Sequence, residues 1–160
     1  MVDILSLKAR SALMSAVRSS GTRPEMRVRR LAHALGLRYS VAPRKVSGRP
    51  DLCFPGARIA IFVHGCFWHR HVGCRKASTP ASNVEFWASK FEDNLKRDER
   101  VMRELLDAGW KTIVIWECET KDPELILRQL QLVQAHYQNR RSALGGRLSP
   151  SGSIVGEGTG

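Results

Sequence analysis

The segment of residues 65–81 constrains the fold more than any other part of the chain. It is dense in His, Cys, Trp, Gly and Pro, and it follows neither the helical nor the strand period. The segment therefore predicts a loop, although loops of this length are uncommon in a compact domain. Because such a loop has little core of its own, we expect a specific interaction to hold it in place.

Metal binding would supply that interaction. The loop contains three metal-ligand side chains, and a fourth follows a later apolar run: Cys66, His71, Cys74 and Cys118. Three thiolates and one imidazole satisfy tetrahedral zinc with no open position, and they would tie the loop to the end of a rigid strand. The alternative is that Cys74 and Cys118 are ordinary thiols, because the spacings are not the paired CxxC arrangement, and that the histidines only solvate a polar loop. Cys53 lies inside an apolar run and is interpreted as a core residue.

The patterns around the loop predict an α/β or α+β sandwich, in which a mixed sheet is covered by helices. Four runs have the apolar or alternating character of strands: residues 37–41, 52–54, 58–63 and 112–116. Three amphipathic patterns predict helices over residues 22–36, 84–108 and 123–137. Thr22 and Glu25 form a capping box at the start of the first helix, and Gly109 stops the second.

The length of 160 residues favours one compact domain. We predict a mobile basic arm at residues 1–21, a folded domain at 22–141 and a disordered Gly- and Ser-rich tail at 142–160. No apolar run approaches the ~20 residues that span a bilayer, and the N-terminus lacks the pattern of a secretory signal. We therefore expect a cytoplasmic protein without membrane contact. No heptad pattern or apolar stripe favours an assembly, so we expect a monomer.

A formal net charge of +11 favours a polyanionic partner: DNA, RNA or an anionic membrane surface. The alternative is a basic protein that binds none of them. Phe67 and Trp68 lie side by side within the loop, where we expect both to stay out of the core. Apolar wedges of this kind open base steps in a duplex, although one of the two residues would equally well pack under the loop. Basic residues near these elements are candidate phosphate contacts: Arg10, Arg18, Arg23, Arg44, Lys45, Arg49, Arg70, Arg75 and Lys76.

The ends of two neighbouring strands carry groups suited to hydrolysis. Asp51 begins one strand, and the next strand ends at Val63, so a carboxylate and a backbone carbonyl would surround a hard cation such as Mg2+. If His71 binds zinc, His64 and His69 remain free for proton transfer near neutral pH.

Two further carboxylates are candidates for the same site. Asp98, on the long helix, would orient a histidine, and Glu25 is a second candidate acid. The alternatives are that Glu25 only serves its capping box and that Asp98 only faces solvent among basic neighbours.

Five sequence blocks, in this order, resemble the very-short-patch (Vsr) mismatch repair endonucleases over residues 8–118. They are GRPD (48–51), FVHGCFWHRH (62–71), EFW (85–87), NLKRD (94–98) and VIWEC (114–118). The resemblance implies a restriction-endonuclease-like fold, a structural zinc at the four ligands named above and Mg2+-dependent nicking of one DNA strand. The implied substrate is duplex DNA with a T:G mismatch, and the implied partners are repair proteins that act on the nick.

The resemblance also assigns roles to individual residues. Asp51 and the Val63 carbonyl match the magnesium ligands, and His69 matches the residue that works on the attacking water or phosphate. His64, Asp98 and Glu25 match supporting positions. In this sequence Val63 stands where we expect threonine, and the loop has one additional residue between His71 and Cys74.

The DNA-contacting residues of the family also have counterparts. Met14, Phe67 and Trp68 match the residues that wedge into the duplex beside the mismatch. Trp87 and Lys90 lie within residues 86–91, a segment that faces the mismatched bases in the family and differs in this sequence. Two alternatives remain: a structure-selective or sequence-relaxed nuclease that acts on another mismatch or lesion, and a non-catalytic, zinc-stabilised DNA-binding module.

Overall fold

The protein is described by a computed structural model that covers residues 20–145. The elements of this part of the chain are α1 (Arg23–Ala34), β1 (Leu52–Phe54), β2 (Ile59–His64), α2 (Val84–Asp107), β3 (Lys111–Trp116) and α3 (Pro123–Gly145). A short 3-10 helix at Glu119–Lys121 connects β3 to α3. Within the same residues, no helix is both long enough and apolar enough to cross a membrane.

The three strands form one mixed sheet in the order β1-β2-β3. β1 pairs antiparallel with β2, and β2 pairs parallel with β3. Side chains alternate along β2: Ile59 and Ile61 join a core with α1 and α3, whereas Ala60 and Phe62 pack against α2. Helices therefore cover both faces, which confirms the predicted α/β class.

The parallel pairing of β2 and β3 positions the functional residues. The carboxyl ends of parallel strands lie at the same edge of a sheet, and His64 is paired with Trp116 at that edge. The 65–81 loop follows β2, and Cys118 lies two residues beyond β3. The loop and Cys118 thus begin from neighbouring points on a rigid scaffold.

Helix α1 begins and ends as its sequence predicts. The Thr22 hydroxyl oxygen accepts from Glu25 N at 3.4 Å and donates to Glu25 Oε1 at 2.9 Å, which forms the capping box. The C-cap is Leu35, and Gly36 follows with a φ of +70°.

Two predicted elements differ in the structure. Residues 37–41 do not form a strand and make only an isolated antiparallel bridge between Ser40 and Cys53. The positive φ of Ala42, +44°, interrupts a regular ladder, although Ala42 N still donates to Pro50 O at 3.0 Å. The last helix continues to Gly145, because residues 138–144 contain neither Gly nor Pro.

The remaining predictions about the chain ends lie outside the described residues. They concern residues 1–19 of the predicted arm, including Met14, and residues 146–160 of the predicted tail. Residues 142–145 of that predicted tail are helical. The domain boundaries otherwise stay predictions.

Substitution of Gly48 tests how closely the chain packs against α2. A Cβ atom at Gly48, where φ is +71°, would lie 2.3 Å from Val101 Cγ1, whereas a Cβ at Gly36 would meet nothing within 4 Å. Both alanine variants carry left-handed strain of about 1 kcal/mol, and Gly48→Ala should lose a further 1–3 kcal/mol, roughly, from overpacking. Urea unfolding of the two variants measures the difference. Equal losses would show that α2 is not packed against Gly48.

Candidate active site and metal centre

The structure brings together the four side chains that the sequence predicts as metal ligands. Their ligand atoms lie within 4.8 Å of one another: Cys66, His71, Cys74 and Cys118. His71 Nδ1 is 3.6 Å from Cys66 Sγ and 3.3 Å from Cys118 Sγ. A tetrahedral ion bound at zinc-like distances holds sulfur and nitrogen about 3.5 Å apart. This Cys3His cluster therefore fits a metal ion that four side chains enclose.

Local turns and one aromatic contact shape the cluster. His71 N donates to Cys66 O at 3.0 Å, and Cys74 N donates to His71 O at 3.2 Å. The His71 ring stacks on Trp116, with 4.2 Å between ring centroids and 4° between planes. Burial raises the pKa of the Cys66 thiol to about 12. That thiol therefore stays protonated at neutral pH unless a bound cation displaces its proton.

Cys53 is separate from the cluster, as the sequence predicts. It lies in β1, is fully buried and pairs with Ala60 across the sheet. Burial raises the pKa of its thiol. It is a core residue.

A cleft of about 320 Å³ lies beside the metal cluster, at the same edge of the sheet. All six residues predicted as catalytic or magnesium-binding line it: Glu25, Asp51, Val63, His64, His69 and Asp98. The structure therefore gathers into one cleft residues from α1, the start of β1, the end of β2, the loop and α2.

Asp51 is held against the end of β2. Its Oδ2 accepts a hydrogen bond from Val63 N at 2.7 Å. Burial raises the pKa of Asp51 to about 6, and the negative charge of Glu25 adds to the rise, whereas the Val63 hydrogen bond and Arg29 oppose it. Ionised Asp51 is therefore costly in the cleft, and a cation there would stabilise it.

Glu25 caps α1 and also lines the cleft, so it does not only serve its capping box. The residue is 3% exposed, and its carboxylate accepts from Gly21 N at 2.7 Å as well as from the Thr22 hydroxyl. Arg29 donates to Glu25 Oε2 at 3.0 Å and to Asp51 O at 3.3 Å. The arginine thus links the helix cap to the backbone of Asp51.

His69 is oriented by Asp98. His69 Nδ1 lies 2.5 Å from Asp98 Oδ2, so Asp98 does not merely face solvent. The His64 ring stacks on the His69 ring, with 3.8 Å between their centroids and 10° between their planes. Burial, with a further contribution from His69, lowers the pKa of His64 to about 4, so its ring is neutral at pH 7.

The three side chains of this group also lie within the spacing of a metal site. The lone pair of an imidazole nitrogen lies in the plane of its ring, and the rings of His64 and His69 lie in two nearly parallel planes. The two rings therefore do not converge on one ion. The arrangement suits proton transfer through His69 better than metal binding.

An aromatic cluster joins the loop to α2. Phe67 lies 5.1 Å from Trp68, 5.3 Å from Trp87 and 5.2 Å from Phe91 between ring centroids. Phe67 and Trp68 are half-buried and outside the core, whereas Trp87 and Phe91 are 7% and 6% exposed. Trp87 thus supports the two loop aromatics from beneath. Lys90 is exposed on the same helix.

The sequence did not predict two residues that hold this cluster. Asn94 Nδ2 donates to Trp68 O at 3.2 Å, and the only signal for it is its position one helical turn before Asp98. Arg70, predicted as a phosphate contact, lies 4.2 Å above the Phe91 ring. It donates to Ser78 O and to the Thr79 hydroxyl, which fastens the end of the loop.

Comparison with known proteins decides the family. The family model of DNA mismatch endonuclease Vsr matches residues 2–76. The type II nicking enzyme V.XorIIP of Xanthomonas oryzae pv. oryzae is 45% identical over 76% of this chain and 89% of its own. DNA mismatch endonuclease Vsr of Escherichia coli is 36% identical over 78% of this chain and 79% of its own. The chain belongs to the Vsr family of DNA mismatch endonucleases.

Membership of the Vsr family confirms the resemblance carried by the five sequence blocks. It makes the chain a DNA endonuclease, with DNA as its partner, and rules against the non-catalytic DNA-binding module. The three-stranded mixed sheet with flanking helices is restriction-endonuclease-like, in agreement with the family.

The raised pKa of Asp51 has a measurable effect on stability. The carboxyl ionises near 3.8 ordinarily but near 6 in the fold, so the folded state holds the proton more tightly. The bound proton therefore stabilises the folded state fully below the ordinary pKa of 3.8, and this stabilisation is lost as the pH rises through the folded-state pKa of about 6. With no Mg2+ added, the stability of Asp51→Asn relative to wild type should rise by up to about 3 kcal/mol as the pH rises from about 4 through about 6, and then stay level. Urea unfolding at several pH values tests this, and a constant difference would contradict it.

Proposed function

We propose that this chain nicks one strand of duplex DNA at a T:G mismatch by Mg2+-dependent hydrolysis, and so starts very short patch repair. The observation that supports this most is the His69–Asp98 pair at 2.5 Å in the same cleft as Asp51. A base, its orienting carboxylate and a second carboxylate suited to a cation form a set that phosphodiester hydrolysis can use.

We assign a structural zinc to the Cys3His cluster. Its sulfur-to-nitrogen distances of 3.3 and 3.6 Å agree with tetrahedral ligation by thiolate and imidazole. Four protein ligands leave no position for water or substrate, so this ion would have no part in the chemistry. Its role would be to fix the loop that carries His69.

Asp51 and the Val63 backbone carbonyl are our candidate ligands for Mg2+. Both supply oxygen, which this hard cation prefers, and burial makes the uncompensated charge of Asp51 unfavourable. When bound, Mg2+ would stabilise the negative charge that develops on the phosphate and on the leaving oxygen. Glu25 and Arg29 would keep Asp51 in position, since Arg29 bonds to both residues.

His69 is our candidate general base. With Asp98 accepting from Nδ1–H, the other ring nitrogen, Nε2, lacks a proton and can take one from water. As the water oxygen bonds to phosphorus, the bond from phosphorus to the leaving sugar oxygen breaks, and that oxygen takes up a proton from solvent water, to which His69 later releases the proton it took. His64, stacked on His69 and neutral, adds no repulsion when His69 becomes protonated.

The aromatic cluster is our candidate for mismatch recognition. Phe67 and Trp68 are half-buried between the cluster ligands Cys66 and His71, and His69 follows them directly. A base step opened by these rings would therefore lie beside the cleft, and a mismatched step opens at lower cost than a paired one. Met14, Trp87 and Lys90 are further candidate contacts.

A relaxed or different recognition context is the second candidate. V.XorIIP and V.NmeAIP of Neisseria meningitidis, which is 37% identical over 81% of this chain and 92% of its own, are both named type II nicking enzymes. These names support a second candidate function, which is nicking of DNA in another sequence context. A monomeric state, a cytoplasmic location and downstream repair partners also stay predictions.

A nicking assay tests the proposed function directly. Wild type with Mg2+ should nick a T:G duplex and leave matched duplex intact. Asp51→Ala and His69→Ala should bind the T:G duplex but nick it at least about 100-fold more slowly, because each loses a group that acts on the reacting atoms. His33→Ala removes an exposed histidine of α1 outside the cleft and should match wild type.

The outcomes separate the alternatives. Equal nicking of several mismatches favours a relaxed nuclease. Full activity in Asp51→Ala or His69→Ala would overturn the assigned roles.

A further inference from the structure

Arg49, at the mouth of the cleft, has a strained backbone. Its φ is +51°, in the left-handed region that side chains of L-residues crowd. Gly48 before it has a φ of +71°, so two consecutive residues adopt this conformation. Strain that persists at a non-glycine residue is often found at functional sites.

The surrounding chain keeps Arg49 in this conformation. Gly48 is pressed against Val101, and Pro50 is fully buried. Arg49 N donates to Val46 O at 3.2 Å, and Pro50 O accepts from Ala42 N at 3.0 Å. The side chain of Arg49 is consequently held at the cleft two residues before Asp51.

The guanidinium of Arg49 has no charged partner within residues 20–145. The residue is exposed and lines the cleft, and its guanidinium has no hydrogen bond or ion pair with any described side chain or carbonyl. Arg29 is engaged by Glu25 at 3.0 Å, and Arg97 lies 3.9 Å from Asp98. Of the two cations that line the cleft, Arg49 and Arg97, Arg49 is therefore the one without an acidic partner among residues 20–145.

A DNA phosphate needs such a cation at this point. The cleft also contains Glu25, Asp51 and Asp98, three acids that repel a phosphate. A guanidinium donates two parallel hydrogen bonds to phosphate oxygens and keeps its charge at any working pH. Charge on those oxygens grows during hydrolysis, so the contact would strengthen towards the transition state.

We propose that Arg49 is a catalytic residue that donates hydrogen bonds to the non-bridging oxygens of the phosphate being cut. The proposal rests on the proposed function, because it requires the cleft to hold the scissile phosphate. Its effect falls mainly on the rate of cutting, whereas a purely structural Arg49 would act through folding alone.

Three variants test the proposal. Arg49→Asn removes the charge but suits a positive φ, Arg49→Lys keeps the charge without the two-pronged geometry, and Arg38→Asn removes one charge from an exposed residue outside the cleft. The single-turnover nicking rate, the Kd for DNA without Mg2+ and the Tm are measured for each. The substrate is whichever duplex wild type cuts fastest among T:G, other mismatches and matched DNA.

The expected pattern is specific. Arg49→Asn should keep or raise the Tm and weaken the Kd by less than about tenfold, yet nick roughly 100-fold more slowly. Arg49→Lys should recover about tenfold of that loss, and Arg38→Asn should nick at the wild-type rate. A wild-type rate in Arg49→Asn, or a loss that follows a lowered Tm without recovery in Arg49→Lys, would overturn the proposal.

Failure of the proposed function gives a different result. If wild type cuts matched DNA as fast as T:G duplex, mismatch selectivity fails, and the ratio of variant to wild-type rate still decides the role of Arg49. If wild type cuts no duplex, both proposals fail.

Discussion

The Cys3His cluster is the interaction on which the rest of the site depends. It joins a long loop with little core of its own to a point just beyond β3, and β3 is fixed by its parallel pairing with β2. His69 lies two residues before the cluster ligand His71, and its distance to Asp98 on α2 is 2.5 Å. The central claim of our account is that the metal holds the loop so that His69 meets Asp98 in the cleft.

The cleft itself illustrates how charge is arranged around a reaction. Glu25 is balanced by Arg29, and Asp98 is paired with His69. Burial raises the pKa of Asp51 to about 6, which is the property expected of a group that awaits a cation. In this account Arg49 completes the set by receiving the phosphate.

Local patterns in the sequence predicted much of this arrangement. The capping box, the helical periodicity and the buried apolar runs predicted α1, α2, β2 and β3, because each depends on neighbouring residues. The ligand types likewise pointed to the metal cluster. The prediction of a strand at residues 37–41 was wrong, because a strand also depends on its pairing partner and on the backbone of the next residue, Ala42. The stacking of His64 on His69 and the strain at Arg49 could not be predicted, because both arise from tertiary contacts.

The most direct test of the central claim compares Cys118→Ser with Cys53→Ser. Bound metal, nicking rate and hydrogen exchange of the loop amides of His69, His71 and Cys74 are measured for both variants. We predict that Cys118→Ser loses the ion, the protection of these amides and nicking together, whereas Cys53→Ser keeps all three. A Cys118→Ser protein that loses its metal yet retains an ordered loop and full nicking would contradict the account.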